Sequence, residues 1–505
     1  IKMLCDIGHA RVNSWQVQVI PILLIALLWG GCGEEPAPDE VPLPVVEDLQ
    51  GGKVRWKMWA QRDSARVLNR PILLFLYTQR SFWCRDLVAR CFEDSELARS
   101  VMRLTLPIWV DVDQRPDLSE RFGMGGVPSL IFLTPDGKLI TGSTYVDPED
   151  LTNLLRRVQI LYDNPDRLDA LEQQRAELNR RVLLQKRKHP RPRIKLSVAL
   201  LQRVRDSLKA VVERGEDPGA EGFLALAEAG IDRPLRAHLR SARRDTDGVY
   251  VLAALTDEGP IIDLEKHLGV NAGLLLACRP ENQPQNLAEA ILYRFAISGD
   301  VLLGAGLAGF RNEAGLPLRD PTIYSGWNAL AISGLCAVYS KTGQERFVEA
   351  GRVIFDALVA RFMRKDNLLV RCEGQTDLVF LDDQALMIGA VLDLFEAQGQ
   401  QADLLFAQKL ADQMLVVFAD SSGALKDRAP EINRVVIPVI DRWLPSGNGV
   451  AAQAFMRLYR HTGESKYQDA AAGILTALIG PHIDRIGYAG ALSRALAMFI
   501  EESKN

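Results

Sequence analysis

The stretch "PILLFLYTQRSFWCRDL", residues 71–87, runs an apolar strand-like segment into one with helical character and places Cys84 at the junction. Two cysteines two residues apart at such a junction form a dithiol exchange centre. The N-terminal thiol sits at a helix start, where the dipole lowers its pKa, and attacks as thiolate; its partner then resolves the mixed disulfide. Here the first position is Ser81, followed by Phe82 and Trp83. A serine hydroxyl makes neither bond. Cys91 lies seven residues beyond Cys84, about 10.5 Å along a helix axis, farther than the ~7 Å Cα separation a disulfide tolerates. The sequence therefore argues against internal dithiol exchange. It leaves Cys84 two roles, a buried scaffold residue or a lone thiol able to form a mixed disulfide with another protein.

Outward from this stretch, residues 53–161 alternate between helical and extended patterns. A short helix is expected around "KMWAQRDSARVLN", then the strand "PILLFLY", a helix from Cys84, the strand "LPIWVDVD", a helix around "PDLSERFG" and the hairpin "GVPSLIFLTPDGKLI", turned at Pro135, Asp136 and Gly137. Alternation of this kind means an α/β layer fold. The layout resembles thioredoxin, and by that resemblance Pro128 is a cis proline facing the active site. More specifically, "WCRDLVARCFEDSELA", "VDVDQRPDL" and "GGVPSLIFLTPDGKLITGSTYV" are similar to the thioredoxin-like domain of the YyaL or spermatogenesis-associated-protein-twenty-like family. That family carries "CHWCH" where this chain has "SFWCR", so Trp83 and Cys84 remain and the CxxC is degenerate.

The chain has 505 residues, 48% of them hydrophobic and 25% charged, too many for a single core, so two or more domains are expected. A net charge of −4 disfavours nucleic acid as a partner. Seven scattered cysteines resemble neither a disulfide framework nor a zinc site, and no metal or cofactor is implied. Residues 1–33 form a signal pattern: Lys2 and Arg11, the apolar run Val17–Trp29, then "GGCG". Small residues before Cys32 resemble a bacterial lipobox, which makes Cys32 a lipidation candidate; an uncleaved anchor is the alternative. Residues 34–52, acidic and proline-rich, read as a disordered tether. The protein is thus expected to be exported to a bacterial cell envelope or periplasm and tethered to the membrane. Residues 162–199 read as a basic helical linker, suited to anionic lipid or glycan or simply solvated.

Residues 200–505 are expected to form an α/α toroid. Three segments repeat, "NALAISGLCAVYSKTG", "QALMIGAVLDLFEAQG" and "NGVAAQAFMRLYRHTG", starting at Asn328, Gln384 and Asn448 and closing on Gly343, Gly399 and Gly463. Each is apolar nearly all round and is followed by an amphipathic helix, so buried inner helices alternate with outer ones. The segments "WNAL", "LDDQA" and "PSGNG" are similar to "WNGL", "LEDYA" and "PSGNS" of the same family, which fuses its thioredoxin-like domain to a six-hairpin-glycosidase-like barrel. Between 200 and 310 the resemblance fades, leaving open a ring incomplete at its start.

In such a ring the loops entering the inner helices converge on one mouth. They read "DPTIYSGWN", "TDLVFLDDQ" and "DRWLPSGNG" and offer carboxylates, amides and aromatic faces, the mixture a saccharide site uses. Asp382 and Asp383 are the catalytic candidates, with Asp320, Asp377 or Asp441 as the second carboxylate; Asp320, Trp327, Asn328, Trp443 and Asn448 are the ligand candidates. Helix capping explains the aspartates, and helix-entry hydrogen bonding the amides, more simply than a site does, and Trp327 and Trp443 suit a core as well as a sugar platform. His461 and His482 are poorly placed for epimerase chemistry. The expectation is an exported protein lacking dithiol exchange, with a carbohydrate-binding or carbohydrate-processing pocket. The alternatives are a thiol-redox protein acting through Cys84 and a non-catalytic scaffold with a protein partner; whether the chain is an enzyme stays open.

Overall fold

The computed structural model describes residues 53–188, 194–235, 248–250, 253–256, 259–262, 265–311, 317–375, 378–427, 437–441 and 444–504. The signal segment, Cys32, the tether, Asp377 and Trp443 lie outside them.

The first domain is built on a four-stranded sheet in the order β2-β1-β3-β4, from β1 (Ile72–Tyr77), β2 (Leu106–Asp111), β3 (Ser129–Leu133) and β4 (Leu139–Ser143). β1 runs parallel to β2 and antiparallel to β3, which pairs antiparallel with β4. Alternate residues of β1 serve opposite faces. Leu73, Phe75 and Tyr77 join a core with Trp56, Cys84 and Phe92, while Ile72, Leu74 and Leu76 join one with Ile108 and Leu118. Both faces are covered, which is why the strand reads as an unbroken apolar run.

Helices α1 (Ser64–Leu68), α2 (Phe82–Leu87), α3 (Ser95–Leu104), α4 (Pro116–Phe122) and α5 (Pro148–Tyr162) surround the sheet. The Val127–Pro128 bond is cis. This is the thioredoxin-like α/β domain expected. Its first helix is shorter than the pattern suggested, because Lys57 instead extends the sheet, donating to Pro107 O and accepting from Trp109 N. A long helix, α6 (Pro165–Lys188), occupies most of the linker, its Leu168 reaching back into the first core.

The second domain is a closed ring. Its inner helices are α8 (Gly219–Glu228), α9 (Leu268–Ala277), α11 (Ser325–Thr342), α13 (Leu381–Gln398), α15 (Gly447–Thr462) and α17 (Gly490–Glu502); each packs on the next, and α17 returns to α8. Outside them lie α7 (Val198–Glu213), α10 (Pro284–Arg294), α12 (Glu345–Phe362), α14 (Gln401–Phe418) and α16 (Ser465–Ile479). The start of the ring is therefore present, although its motifs fade in the sequence. Arg494 and Gln453 both bond to Glu221 where the ring closes.

Small residues set the bore. A Cβ on Gly326 would lie 2.5 Å from Asp383 Oδ1, one on Gly449 2.5 Å from Ala491 Cβ, and one on Gly490 would run into the backbone of Gly222. Inner helices thus touch at their first turns, leaving the mouth tightly packed.

The amides that begin each repeat explain the periodicity. Asn328 Oδ1 accepts from Leu303 N, and its Nδ2 donates to Leu303 O and Tyr324 O. Gln384 clamps Leu369 in the same way, and Asn448 clamps Leu425. A fourth clamp, Asn271 on Tyr250, lies 57 residues before Asn328. Three of the clamped residues also bridge the chain leaving the outer helix before them: Ala296 with Leu303, Met363 with Leu369, Ala419 with Leu425.

The pattern pointed to one hairpin near 248–263, and β5 (Ala253–Thr256) and β6 (Gly259–Ile262) form it. It missed a three-stranded sheet of β7 (Lys266–His267), β8 (Gly306–Arg311) and β9 (Pro317–Asp320), whose strands are short and carry two glycines in "GLAGFR". Among the described residues no helix is long and apolar enough to cross a membrane.

Candidate functional site at the domain junction

Ser81 caps α2, its Oγ accepting from Cys84 N at 3.4 Å. The residue before it, Arg80, leaves the thioredoxin-like domain and enters the toroid. Its side chain is 2% exposed and meets three carboxylates: Nε donates to Glu265 at 3.0 Å, Nη1 to Asp320 at 2.5 Å and Nη2 to Asp113 at 2.7 Å. The guanidinium carbon lies 5.4 Å from the centre of the Trp327 ring. Gly306 on β8 makes room for it, since a Cβ there would stand 2.6 Å from Arg80 Cδ.

The toroid returns the contact through Arg371. Its Nε donates to the backbone oxygen of Asp113 at 2.5 Å, while Nη1 reaches Asp382 at 3.1 Å and Asp383 at 3.0 Å. The rings of Tyr324 and Phe380 lie beside that guanidinium. Gln375 donates to Gln114 alongside. Asp113 thus binds one arginine through its side chain and the other through its backbone, and Thr78 Oγ1 and the Asp111 carboxylate steady it.

Charge follows geometry. Burial works against the charged form of Arg80, yet Asp113, Asp320 and Glu265 hold it well above its ordinary value. Burial would also raise Asp113, but Arg80 brings it below the usual carboxylate range. Asp111, desolvated and facing Asp113 and Asp320, is pushed well above its ordinary value. Burial lifts Asp383 to about 7 against the pull of Arg371, and burial together with Arg80 drives His267 down to about 3, leaving it neutral. Cys84 is buried and its thiol is pushed up to about 12, so it is no thiolate at neutral pH. Cys91 rises to about 11 for the same reason, and both thiols are free.

The junction brings together Ser81 and Cys84 from one domain and Asp320, Trp327, Asp382 and Asp383 from the other. Asp383 is buried and Asp382 partly exposed, the divergence expected of neighbours on a helix, although one Arg371 nitrogen binds both. Asp383 Oδ1 accepts from Gly326 N on the adjacent inner helix. Asn328 and Asn448 commit their amide groups to backbone. Asp441 stands apart, accepting from Ser446 N and Ala491 N where α15 meets α17. Trp83 points outward, nearly half exposed, and packs edge-on against Tyr145. His461 binds Glu396 on the neighbouring inner helix. Arg80, Asp113, Glu265, His267, Tyr324 and Arg371 were not singled out from the sequence. A cation directly before the cysteine-like position was the one available signal.

The molecule is therefore a thioredoxin-like domain docked through Arg80, Asp113 and Gln114 onto the mouth of a closed α/α toroid. Residues 44–183 match the family Thioredox_DsbH, a protein family of unknown function (DUF255). Across a 633-residue alignment the chain is 23% identical to Spermatogenesis-associated protein 20 of Homo sapiens, covering 89% of this chain and 80% of that protein, which bears out the family resemblance read from the motifs. Solved structures similar to the chain include an inactive variant of the alpha-1,6-mannanase GH76A of Salegentibacter sp. HEL1_6 in complex with alpha-1,6-mannotriose (14% identity, TM-score 0.38, 48% of this chain and 68% of that one). Another is the glycoside hydrolase family 76 mannosidase of Bacteroides thetaiotaomicron (18% identity, TM-score 0.36, 46% of this chain and 65% of that one).

Proposed function

We propose that this is a protein without dithiol redox activity that binds a saccharide at the junction of its two domains and does not turn it over. The observation that carries the reading is a pair of buried donors. Tyr324 Oη and Trp327 Nε1 are enclosed and have no hydrogen-bond partner among the described residues. A buried donor left unpaired costs about 1–3 kcal/mol. A hydroxyl-rich ligand admitted beside these two side chains supplies acceptors to both.

Turnover is disfavoured by the same geometry. Glycoside hydrolysis needs two carboxyl groups facing each other across the bond, ~5–9.5 Å apart. Asp382 and Asp383 are sequence neighbours drawn to a single guanidinium nitrogen. Dithiol exchange is disfavoured because Ser81 has no sulfur and Cys84 is buried in the core of its own domain. Export, with lipidation at Cys32 or an apolar anchor, belongs to the proposal and rests on the N-terminal sequence; Cys32→Ser is expected to shift the protein out of the membrane fraction.

The test is titration calorimetry of wild type and Arg80→Ala against a broad saccharide panel. Binding by either that is lost on Tyr324→Phe with Trp327→Phe supports the reading; no binding by either sinks it. In that event, silence in thiol-trapping as well would favour the scaffold alternative.

A further inference from the structure

We infer that the thioredoxin-like domain is a lid, able to lift off the toroid mouth as a rigid body and settle back on it. This goes beyond the saccharide reading: it gives a ligand of any chemistry a way to the mouth, and it is tested without one.

The first observation is where the cores stop. The two cores of the first domain draw on residues 54–168 and the toroid core on residues from Ile194 onward, so none of these apolar clusters spans the junction. The docking bonds are polar instead: Arg80 to Glu265 and Asp320, Arg371 to the Asp113 backbone, Gln375 to Gln114. A polar interface between domains permits relative motion, whereas a large shared hydrophobic one opposes it. The cores are joined along the chain by the 25 residues between Leu168 and Ile194, most of them in α6, so neither core has to open for the domains to part.

The second observation is how the charges are shared. Each arginine of the junction has a carboxylate partner in its own domain. Arg80 takes Asp113 with it, bonded at 2.7 Å, and Arg371 stays on Asp382 and Asp383. Separation therefore strands no guanidinium without a counter-charge, which is the usual obstacle to breaking a buried ion pair. On the toroid side Glu265 and Asp320 exchange Arg80 for water as the cover is removed, and Asp320 also keeps Thr322 N at 3.0 Å. With Arg80 withdrawn from its place 5.4 Å from the Trp327 ring, the mouth beside the enclosed Tyr324 Oη and Trp327 Nε1 opens on that side. A ligand that binds there holds the lid up by its differential affinity for the open state.

Val67 and Val416 are exposed on α1 and α14, one in each domain. Spin labels at Val67→Cys and Val416→Cys, in the full chain carrying Cys5→Ser and Cys32→Ser, report the separation by pulsed dipolar spectroscopy. The other five cysteines are buried and take no label. Arg80→Gln removes the cation shared by Glu265 and Asp320, and lifting hydrates both. The expected result is a second, longer distance whose population in Arg80→Gln is at least about tenfold that in wild type, with far-ultraviolet circular dichroism unchanged. A single unchanged distance in Arg80→Gln overturns the inference, since the domains then hold together without the clamp. A longer distance that comes with lost helicity overturns it too, because a domain has then unfolded rather than lifted. Should Arg80→Gln fail to fold, the half-buried rim pair Gln114 and Gln375 decides. The like-charge variant Gln114→Glu with Gln375→Glu is expected to hold about threefold more of the long distance than the opposite-charge variant Gln114→Lys with Gln375→Glu, and equal populations overturn the inference. No sugar is added, so the outcome is read independently of the calorimetry.

Discussion

Arg80 and Asp320 stand 240 residues apart in the chain and meet at 2.5 Å inside the domain junction, with neither side chain more than 2% exposed. Removing one member of a buried ion pair strands the other charge, at a cost of about 3–5 kcal/mol. Arg80→Ala and Asp320→Ala should each destabilise strongly in urea unfolding, and the double variant should lose clearly less than the sum, because residues in contact couple. Additive losses would mean that the two domains are held by something else.

The thiol of Cys84 is predicted to be silent in the folded protein. With its pKa pushed up to about 12 by burial, less than a thousandth of it is thiolate at pH 8. Alkylation by iodoacetamide should label Cys84 only after unfolding. Ser81→Cys should allow a disulfide with Cys84, seen as two thiols missing after denaturation, but the variant should reduce a protein disulfide poorly, because both positions are buried. Rapid native labelling of wild-type Cys84 would contradict the buried placement.

The ring should not tolerate a methyl group at its joints. Gly326→Ala places a carbon 2.5 Å from Asp383 Oδ1, and Gly490→Ala drives one into Gly222. Overpacking of this kind costs about 1–3 kcal/mol, more where backbone must move. Thermal unfolding is expected to show the larger loss for Gly490→Ala, whose obstacle is main chain. A neutral result there would show that the α17–α8 joint is loose.

Stability should decline as the solution moves from mildly acidic to neutral. Asp383 and Asp441 are each lifted by burial from 3.8 to about 7, so the folded chain keeps protons that the unfolded chain releases between these values. The unfolded state then binds fewer protons, and unfolding becomes easier as pH rises toward 7, by at most about 4 kcal/mol per group. Asp113 acts oppositely: its lowered pKa contributes stability that is lost as pH falls below the usual carboxylate range. Asp441→Asn should flatten the decline between pH 4 and 7 in denaturant titrations; an unchanged slope would place the proton elsewhere.

Most of the architecture was legible because its signals are local. The unbroken run of β1 reflects a strand covered on both faces, and the repeating amide–glycine spacing reflects an inner helix that starts on a backbone clamp and stops at a left-handed glycine such as Gly343. The same spacing could have exposed the fourth clamp, since Asn271 precedes Asn328 by nearly the distance that separates Asn328 from Gln384, but its helix lacks a closing glycine. The junction was not legible. Arg80 meets Glu265 and Asp320 only through tertiary docking, and no periodicity connects positions so far apart. The candidate residues fared unevenly for the same reason: Asp320 and Trp327 do meet at the mouth, whereas Asn328 and Asn448 are consumed by the local bonds that made them recur.

In the repeats that begin at Asn328 and Gln384 the amide clamps mark off a part of constant length and a part that varies, whereas the first repeat, from Asn271 to Leu303, advances only 32 residues. From Asn328 to Leu369 and from Gln384 to Leu425 the chain advances 41 residues in both cases, whereas the return from clamped residue to amide takes 25, 15 and 23 residues in three successive repeats. All eight residues by which the third of these returns exceeds the second are spent between fixed posts. Insertions and deletions over the entrance can therefore accumulate without disturbing the threading of the helices, so descendants of this sequence are free to redecorate the opening while inheriting the frame unchanged.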